Sequence, residues 1–396
     1  MAVQFDIDVS GPPAVRGGRP AFPEPIPLVR PRVPTEDGLP TRIQEILGSG
    51  MLTNGANVRE LEQRVAEYLH VEHCVAVSSC TAGLMLVLQA MGVTGEVIVP
   101  SFTFSATVHS VVWNGLRPVF ADIDPENLTL SPEAVTKAIG PETSAILAVH
   151  VYGTPCAVEE LADIAHAHDL RLIFDAAHAF GSRRQAVPIG SFGDAEVFSL
   201  SPTKVLVAGE GGLITTNDSA LAERCRIGRD YGNPGNYDCV FVGLNARMSE
   251  VHAAIALASL TEIEEQVTRR NRLAESYRKA LEDLPGISFP RISEGDRSTH
   301  KDFTLRVDGR GFGMTAAELG VALKAEGIDT RRYYTPLVHE MEAYASFNGN
   351  HNLPASEEAA GRVLTLPMWS DMTEGHTGRI GAAVRRIWAV LGTGQK

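Results

Sequence analysis

From about residue 37 onward, short apolar runs alternate with amphipathic stretches. Val58, Leu61, Val65 and Leu69 recur at a spacing that places them on one face of a helix. Seven apolar runs follow, at 74–78, 96–100, 118–123, 144–151, 171–175, 196–200 and 212–216. Helix-like segments lie between them at 81–90, 132–139 and 158–168. Strand and helix repeated in this way predict a parallel sheet covered on both faces. A long helical stretch is expected over 249–284. The mixed pattern beyond it (287–290, 303–307, 316–326, 378–391) predicts a smaller α+β unit. The expected organisation is therefore an extended arm over 1–35, a large domain over 36–255 and a small C-terminal domain over 256–396. The arm is rich in Pro, Gly and Arg, and is expected to lie over the body or a neighbouring subunit.

Composition narrows the function. The chain has 396 residues, 44% hydrophobic and 21% charged, which fits an ordinary globular protein of two or three domains. No apolar run approaches the ~20 residues that span a bilayer, so no membrane partner is expected. The N-terminus offers neither a basic n-region nor an apolar h-region, so no secretory signal is expected. A net charge of −13 argues against a nucleic-acid partner, which needs a basic footprint. The five cysteines form no C-x-x-C pair, so neither a disulfide framework nor a metal site is indicated. His166 and His168 are two apart on an expected helix and face different ways. A reducing, cytoplasmic setting fits this cysteine usage. Gly309-Arg-Gly-Phe-Gly313 resembles half a dinucleotide fingerprint but lacks its final spacing.

Three constellations carry candidate chemistry. Among six lysines, Lys137, Lys279 and Lys324 sit in charged helical segments and read as solvated surface, Lys396 is terminal, and Lys301 precedes an expected strand. Lys204 stands apart, between the apolar run Val197-Phe198-Ser199-Leu200 and the Gly209-Glu210-Gly211-Gly212 turn. A lysine in apolar surroundings loses its preference for the charged form and becomes a nucleophile or base, although a loop lysine at a strand end is the plainer reading. Asp175 closes an apolar run, where ligands of parallel sheets gather. It could hold a pyridinium nitrogen protonated or simply cap a helix. Ser78-Ser79-Cys80-Thr81 lies between a strand and a helix, a place that favours a phosphate or carries an ordinary N-cap.

The ordered set of these segments resembles the DegT-type family of sugar aminotransferases, within the fold-type I pyridoxal 5'-phosphate (PLP) enzymes. The resemblance runs from about Gly50 to the C-terminus. It rests on Leu52-Thr53-Asn54-Gly55, Ser79-Cys80-Thr81, Pro100-Ser101-Phe102-Thr103-Phe104, Asp175-Ala176-Ala177-His178, Ser199 to Lys204, Gly209 to Gly212 and Gly243-Leu244-Asn245-Ala246-Arg247-Met248. It implies a large domain with a mostly parallel seven-stranded sheet between helices, and a smaller α+β domain. It implies that Lys204 binds PLP covalently and moves protons at the substrate carbon, and that Asp175 pairs with the ring nitrogen. Phe104 would stack on the ring, although alone it reads as core packing, and His178 would sit near the ring oxygen. Ser199, Cys80 and Thr81 would hold the phosphate. Asn245 would reach that phosphate from a partner subunit, making the active unit a homodimer with shared sites. Two departures stand out. Cys80 replaces a glycine common in relatives, where only the backbone N–H is needed. Ser201 replaces a common histidine, which bears on substrate preference. Dehydratases of the family carry histidine in place of the lysine, so Lys204 argues against that activity.

Thr330 to His339 resembles a segment of nucleotide-sugar aminotransferases acting on 4-keto-6-deoxyhexoses. Thr53, Tyr333, Tyr334 and His339 are the implied substrate contacts, and Arg331 and Arg332 suit a diphosphate, or else are strand-edge surface charges. The implied reaction moves an amino group from L-glutamate to the C4 ketone of such a nucleotide-linked sugar, in secondary-metabolite or polysaccharide biosynthesis. The alternatives are a keto-cyclitol or 3-keto sugar as acceptor, the former hinted at by the Gly17-Gly18-Arg19-Pro20 arm, and a non-catalytic PLP-binding regulatory protein.

Overall fold

The structure, a computed structural model, describes residues 11–32, 38–347 and 352–392. The first ten residues of the expected arm, its end at 33–35, and Lys396 lie outside the described residues.

A seven-stranded sheet forms the centre. Twelve strands are described: β1 His73–Val77, β2 Glu96–Pro100, β3 Arg117–Ala121, β4 Thr143–Val149, β5 Arg171–Asp175, β6 Arg183–Arg184, β7 Val187–Pro188, β8 Ala195–Ser199, β9 Gly212–Thr216, β10 Ile287–Ser288, β11 Phe303–Val307 and β12 Val363–Leu366. The large sheet has the order β1-β9-β8-β5-β4-β2-β3. Only β9 runs against its neighbours, pairing antiparallel with both β1 and β8. Consequently the carboxyl ends of six strands and the amino end of β9 share one edge. Val97, Ile98, Val99, Ile173, Phe174, Val197 and Phe198 are buried on both faces, which is why these strands read as continuous apolar runs rather than alternating ones.

The second core forms around the three-stranded sheet β10-β11-β12. It gathers Tyr277, Leu305, Phe312, Leu323, Leu364 and Val384. The stretch expected as one helix over 249–284 is two, Glu250–Thr261 and Ile263–Leu281, meeting at Glu262. The second helix joins the two cores: Ile263 and Val267 pack under the large sheet, and Leu273, Tyr277 and Leu281 pack in the smaller core. The arm residues lie on the smaller core. Phe22 N–H donates to Glu326 O at 2.9 Å, Ile26 bridges Ile328, and Leu28 O accepts from Met368 N–H at 3.0 Å. Among the described residues, no helix is long and apolar enough to cross a membrane.

Candidate active site

The shared strand edge opens into a cleft of about 190 Å³, lined in part by Cys80, Thr81, Phe104, Asp175, Ala177, His178, Ser199, Lys204 and Tyr334. A larger, open groove of about 620 Å³ runs along the helix Ile263–Leu281, lined by Thr268, Asn271 and Arg272 among others. The reactive groups converge in the smaller cleft, so the site is placed there.

Topology explains the convergence. Asp175 ends β5 and Ser199 ends β8. The helix Cys80–Met91 starts just after β1, capped by Ser79, whose side chain accepts from Ala82 N–H at 3.1 Å. That bond leaves the N–H groups of Cys80 and Thr81 available at a positive helix end, next to the hydroxyls of Thr81 and Ser199. Gly212 lets β9 come this close: a Cβ there would lie 2.6 Å from Cys80 N. The donor set therefore fits a phosphate. The Cys80 thiol, pushed up by burial, turns instead toward Val197 O at 3.5 Å and Asp175 at 3.9 Å.

Asp175 is buried and accepts from Thr107 Oγ1 at 2.7 Å and Ala177 N–H at 3.0 Å. Burial raises its carboxyl above the ordinary range, while the Thr107 hydroxyl, the Ala177 amide and the Lys204 charge oppose that rise. A buried carboxylate at the cleft floor suits a cationic ring nitrogen. Lys204, partly buried at the wall, falls to about 8, first through burial and then through the positive charge of Lys301. His178 is driven well below its ordinary range by burial and by Lys204 and Lys301, so its ring is neutral. Its Nδ1 accepts from Tyr152 N–H at 3.2 Å, which leaves the ring proton on Nε2. Phe104 lines the cleft with 61% of its surface exposed, opposite to what core packing requires.

The remaining predicted residues fall outside the cleft walls. Tyr333 is half-buried behind Tyr334, their ring centroids 5.5 Å apart. His339 lies beneath the cleft rather than in its wall: its Nδ1 is 2.7 Å from Ser101 Oγ, and its ring packs 6.0 Å from Phe120. Thr53 is exposed and bridges Ser249. Asn245 is exposed, accepting from Arg247 at 3.3 Å. Arg332 donates to Ala360 O at 2.6 Å, and Arg331 pairs with Asp329 at 3.0 Å. Sequence reasoning missed Thr107, Tyr152 and the liner Ala177. Of these, Ala177 alone carried a signal, as a small residue between Asp175 and His178.

A sheet that delivers a lysine, a carboxylate and an anion cradle to one edge defines the fold-type I class of PLP enzymes. The DegT/DnrJ/EryC1/StrS aminotransferase family model matches residues 36–385, and the chain belongs to that family. It is thus a PLP-dependent aminotransferase. The chain is 34% identical over 365 residues to a dTDP-4-amino-4,6-dideoxy-D-glucose transaminase of Shigella dysenteriae, covering 92% of this chain and 99% of that protein. Among solved structures it resembles DesI in the presence of its TDP-sugar product, at 41% identity and TM-score 0.89, over 95% of this chain and 96% of that one. It also resembles a DegT DnrJ EryC1 StrS aminotransferase from Brucella abortus, at 32% identity and TM-score 0.82, over 90% and 95% of the two chains.

Proposed function

We propose that the chain moves an amino group from L-glutamate to the C4 ketone of a nucleotide-linked 4-keto-6-deoxyhexose, most simply dTDP-4-keto-6-deoxyglucose. The observation that carries the reading is the meeting of Lys204 and Asp175 in one cleft beside a phosphate-shaped donor set. The substrate class follows the similarity to the dTDP-4-amino-4,6-dideoxy-D-glucose transaminase of S. dysenteriae and to DesI, which was solved with its TDP-sugar product. When bound, PLP supplies an aldehyde for amino groups and a ring that withdraws electrons from the reacting carbon. Asp175 would pair with the ring nitrogen, and the Thr107 hydrogen bond favours its carboxylate form against the pull of burial. Lys204, with an amine near neutrality, holds the cofactor and takes or returns the proton at the substrate carbon. Phe104, exposed in the cleft, would pack against the ring once bound, and Ala177 is small enough to leave room for it. His178, with its proton on Nε2, would be able to donate to the ring oxygen. Cys80 and Thr81 N–H groups with Ser199 seat the phosphate, and Tyr334 with Tyr333 and Thr53 borders the sugar side.

The working unit of this proposal is a homodimer in the cytoplasm. Asn245 lies outside its own cleft, on a loop where Tyr237 and Val242 are 95% and 83% exposed, as an interface covered by a second copy requires. The test is incubation of purified protein with L-glutamate and dTDP-4-keto-6-deoxyglucose. Amino-sugar and 2-oxoglutarate should form in equal amounts, and Lys204→Met should reduce turnover by roughly 10²–10⁴-fold or more. Amination of a free keto-cyclitol with no amino-sugar formed would overturn the substrate assignment.

A further inference from the structure

Among the described residues that line the cleft, Tyr334 alone comes from the chain beyond the helix Ile263–Leu281. Lys204, Asp175, Ser199, Cys80 and Thr81 come from the edge of the large sheet or the helix start beside it. Tyr334 is therefore the one piece of wall that the smaller unit contributes, and its place depends on what fastens it to the sheet.

Tyr152 does that fastening. It is buried just past the end of β4 at Val149. Its backbone is left-handed, with φ 58°, a conformation costly for a bulky side chain. Its N–H donates to His178 Nδ1 at 3.2 Å, and its carbonyl accepts from Lys301 N–H at 3.0 Å. Its ring lies parallel to that of Tyr334, with centroids 6.3 Å apart and planes at 7°. Phe102 meets both rings edge-on, at 6.4 Å from Tyr152 and 5.7 Å from Tyr334. The Tyr152 hydroxyl donates to the carbonyl of Tyr333, the residue directly before Tyr334. Gly153 follows with φ 91°, and a Cβ there would collide with Thr299 Oγ1, which itself donates to His178 O at 2.6 Å.

A strained residue persists only where its surroundings over-determine it. At Tyr152 those surroundings pull two ways. The backbone is tied to His178 on the cofactor side, and the ring and hydroxyl are tied to Tyr334 and the Tyr333 carbonyl. A residue that merely filled the core would need neither the left-handed backbone nor the polar tip.

We propose that Tyr152 is a positioning residue for the amino acceptor: it fastens the Tyr334 wall to the cofactor side of the cleft and so sets the space left for the sugar. This rests on the transfer to a keto-sugar proposed above. The amine, the carboxylate and the phosphate donors do not come from that wall. Loosening it therefore acts on sugar binding and leaves the exchange with glutamate in place.

The test is Tyr152→Phe, which keeps the ring, the left-handed turn and the N–H to His178, and removes only the hydroxyl's bond to Tyr333. The two half-reactions are measured separately on the full-length, PLP-loaded protein. Conversion of the bound cofactor by L-glutamate alone is followed by its visible absorbance, and its return by dTDP-4-keto-6-deoxyglucose is followed in the same way. Tyr152→Phe should raise the half-saturating sugar concentration about 3–10-fold, the scale of one neutral hydrogen bond, and leave the glutamate half-reaction as in wild type. The unchanged glutamate step also shows that the variant is folded. Tyr334→Ala should raise the same sugar concentration, and the double variant should be no weaker than Tyr334→Ala, because the hydroxyl acts through that ring. A Tyr152→Phe that weakens both half-reactions alike, or neither, or that adds its full effect to Tyr334→Ala, overturns the proposal. A wild type that accepts the amino group of glutamate but does not pass it to the sugar overturns the keto-sugar reading, and the proposal with it.

Discussion

At the level of single residues, the site is a contest between burial and hydrogen bonding at Asp175. Its folded value lies above the unfolded one, so its contribution to stability is present at acid pH and is lost as pH rises through the raised folded value. Ionising Asp175, as the proposed reaction requires, would therefore cost stability, and the Thr107 hydroxyl is first among the groups that oppose burial there. Thr107→Val removes a charge-assisted bond of about 1.5–3 kcal/mol, so kcat/KM at neutral pH should fall by about 10–150-fold. Because the carboxylate then protonates more readily, the acid limb of the kcat/KM profile should move to higher pH. A profile that keeps its acid limb in place would remove Thr107 from this role. Lys204 and Asp175 could be singled out in the sequence because each follows or ends an apolar run, whereas Phe104 read alone as core packing and came forward only through the family resemblance. Thr107, Tyr152 and Lys301 could not be, because they come to the cleft from segments whose local pattern is ordinary and whose approach only the tertiary fold creates.

At the level of elements, legibility followed burial. The strands of the large sheet were readable because they are buried on both faces and therefore written as runs. The helix Ser105–Trp113 was not read: Val108, Val111 and Val112 with Phe104 and Thr107 suit a strand as well, and its environment is buried enough to mask any period. The break at Glu262 was missed because apolar positions continue across it at Leu260 and Ile263. The hairpin β6–β7 and strand β12 are too short to announce themselves. The arm, read from its richness in Pro, Gly and Arg, acquires a mechanism in the structure. Glu326, fully buried, accepts from Ala14 N–H and Ala21 N–H at 2.8 Å each and pairs with Arg386. Glu326→Ala leaves a buried guanidinium and two amides without their acceptor, which should cost about 3–5 kcal/mol. The expected outcome is a lower denaturant midpoint together with rapid tryptic cleavage after Arg16, since Arg19 precedes a proline and is not cut. Wild-type resistance to trypsin in that variant would mean that the arm is held by its apolar residues instead.

At the level of the whole molecule, the question is whether one chain can complete its own site. The cleft holds Lys204, Asp175, Phe104 and the Cys80–Thr81 helix start, which in the proposed function would supply the amine, the carboxylate, a stacking ring and part of a phosphate cradle. Asn245, implied by the family resemblance to hold the phosphate, is exposed outside that cleft, on a loop whose apolar tips a monomer would leave in water. A two-fold axis that set this loop against the partner's cleft would make the exchange reciprocal, each chain lending Asn245 to the other. Lys204→Met and Asn245→Asp then damage different sites in a mixed dimer. The first removes the amine from its own cleft, and the second sets a carboxylate against the partner's phosphate. Each variant alone should be nearly inactive. After unfolding and refolding as an equal mixture, about half the dimers should be mixed, each with one intact site, so activity should recover to about a quarter of wild type. Recovery requires the lysine of one chain and the asparagine of the other to meet at a single cofactor. If both residues served the same chain's cleft, a mixed dimer would have one defect in each site and the mixture would stay as inactive as its components.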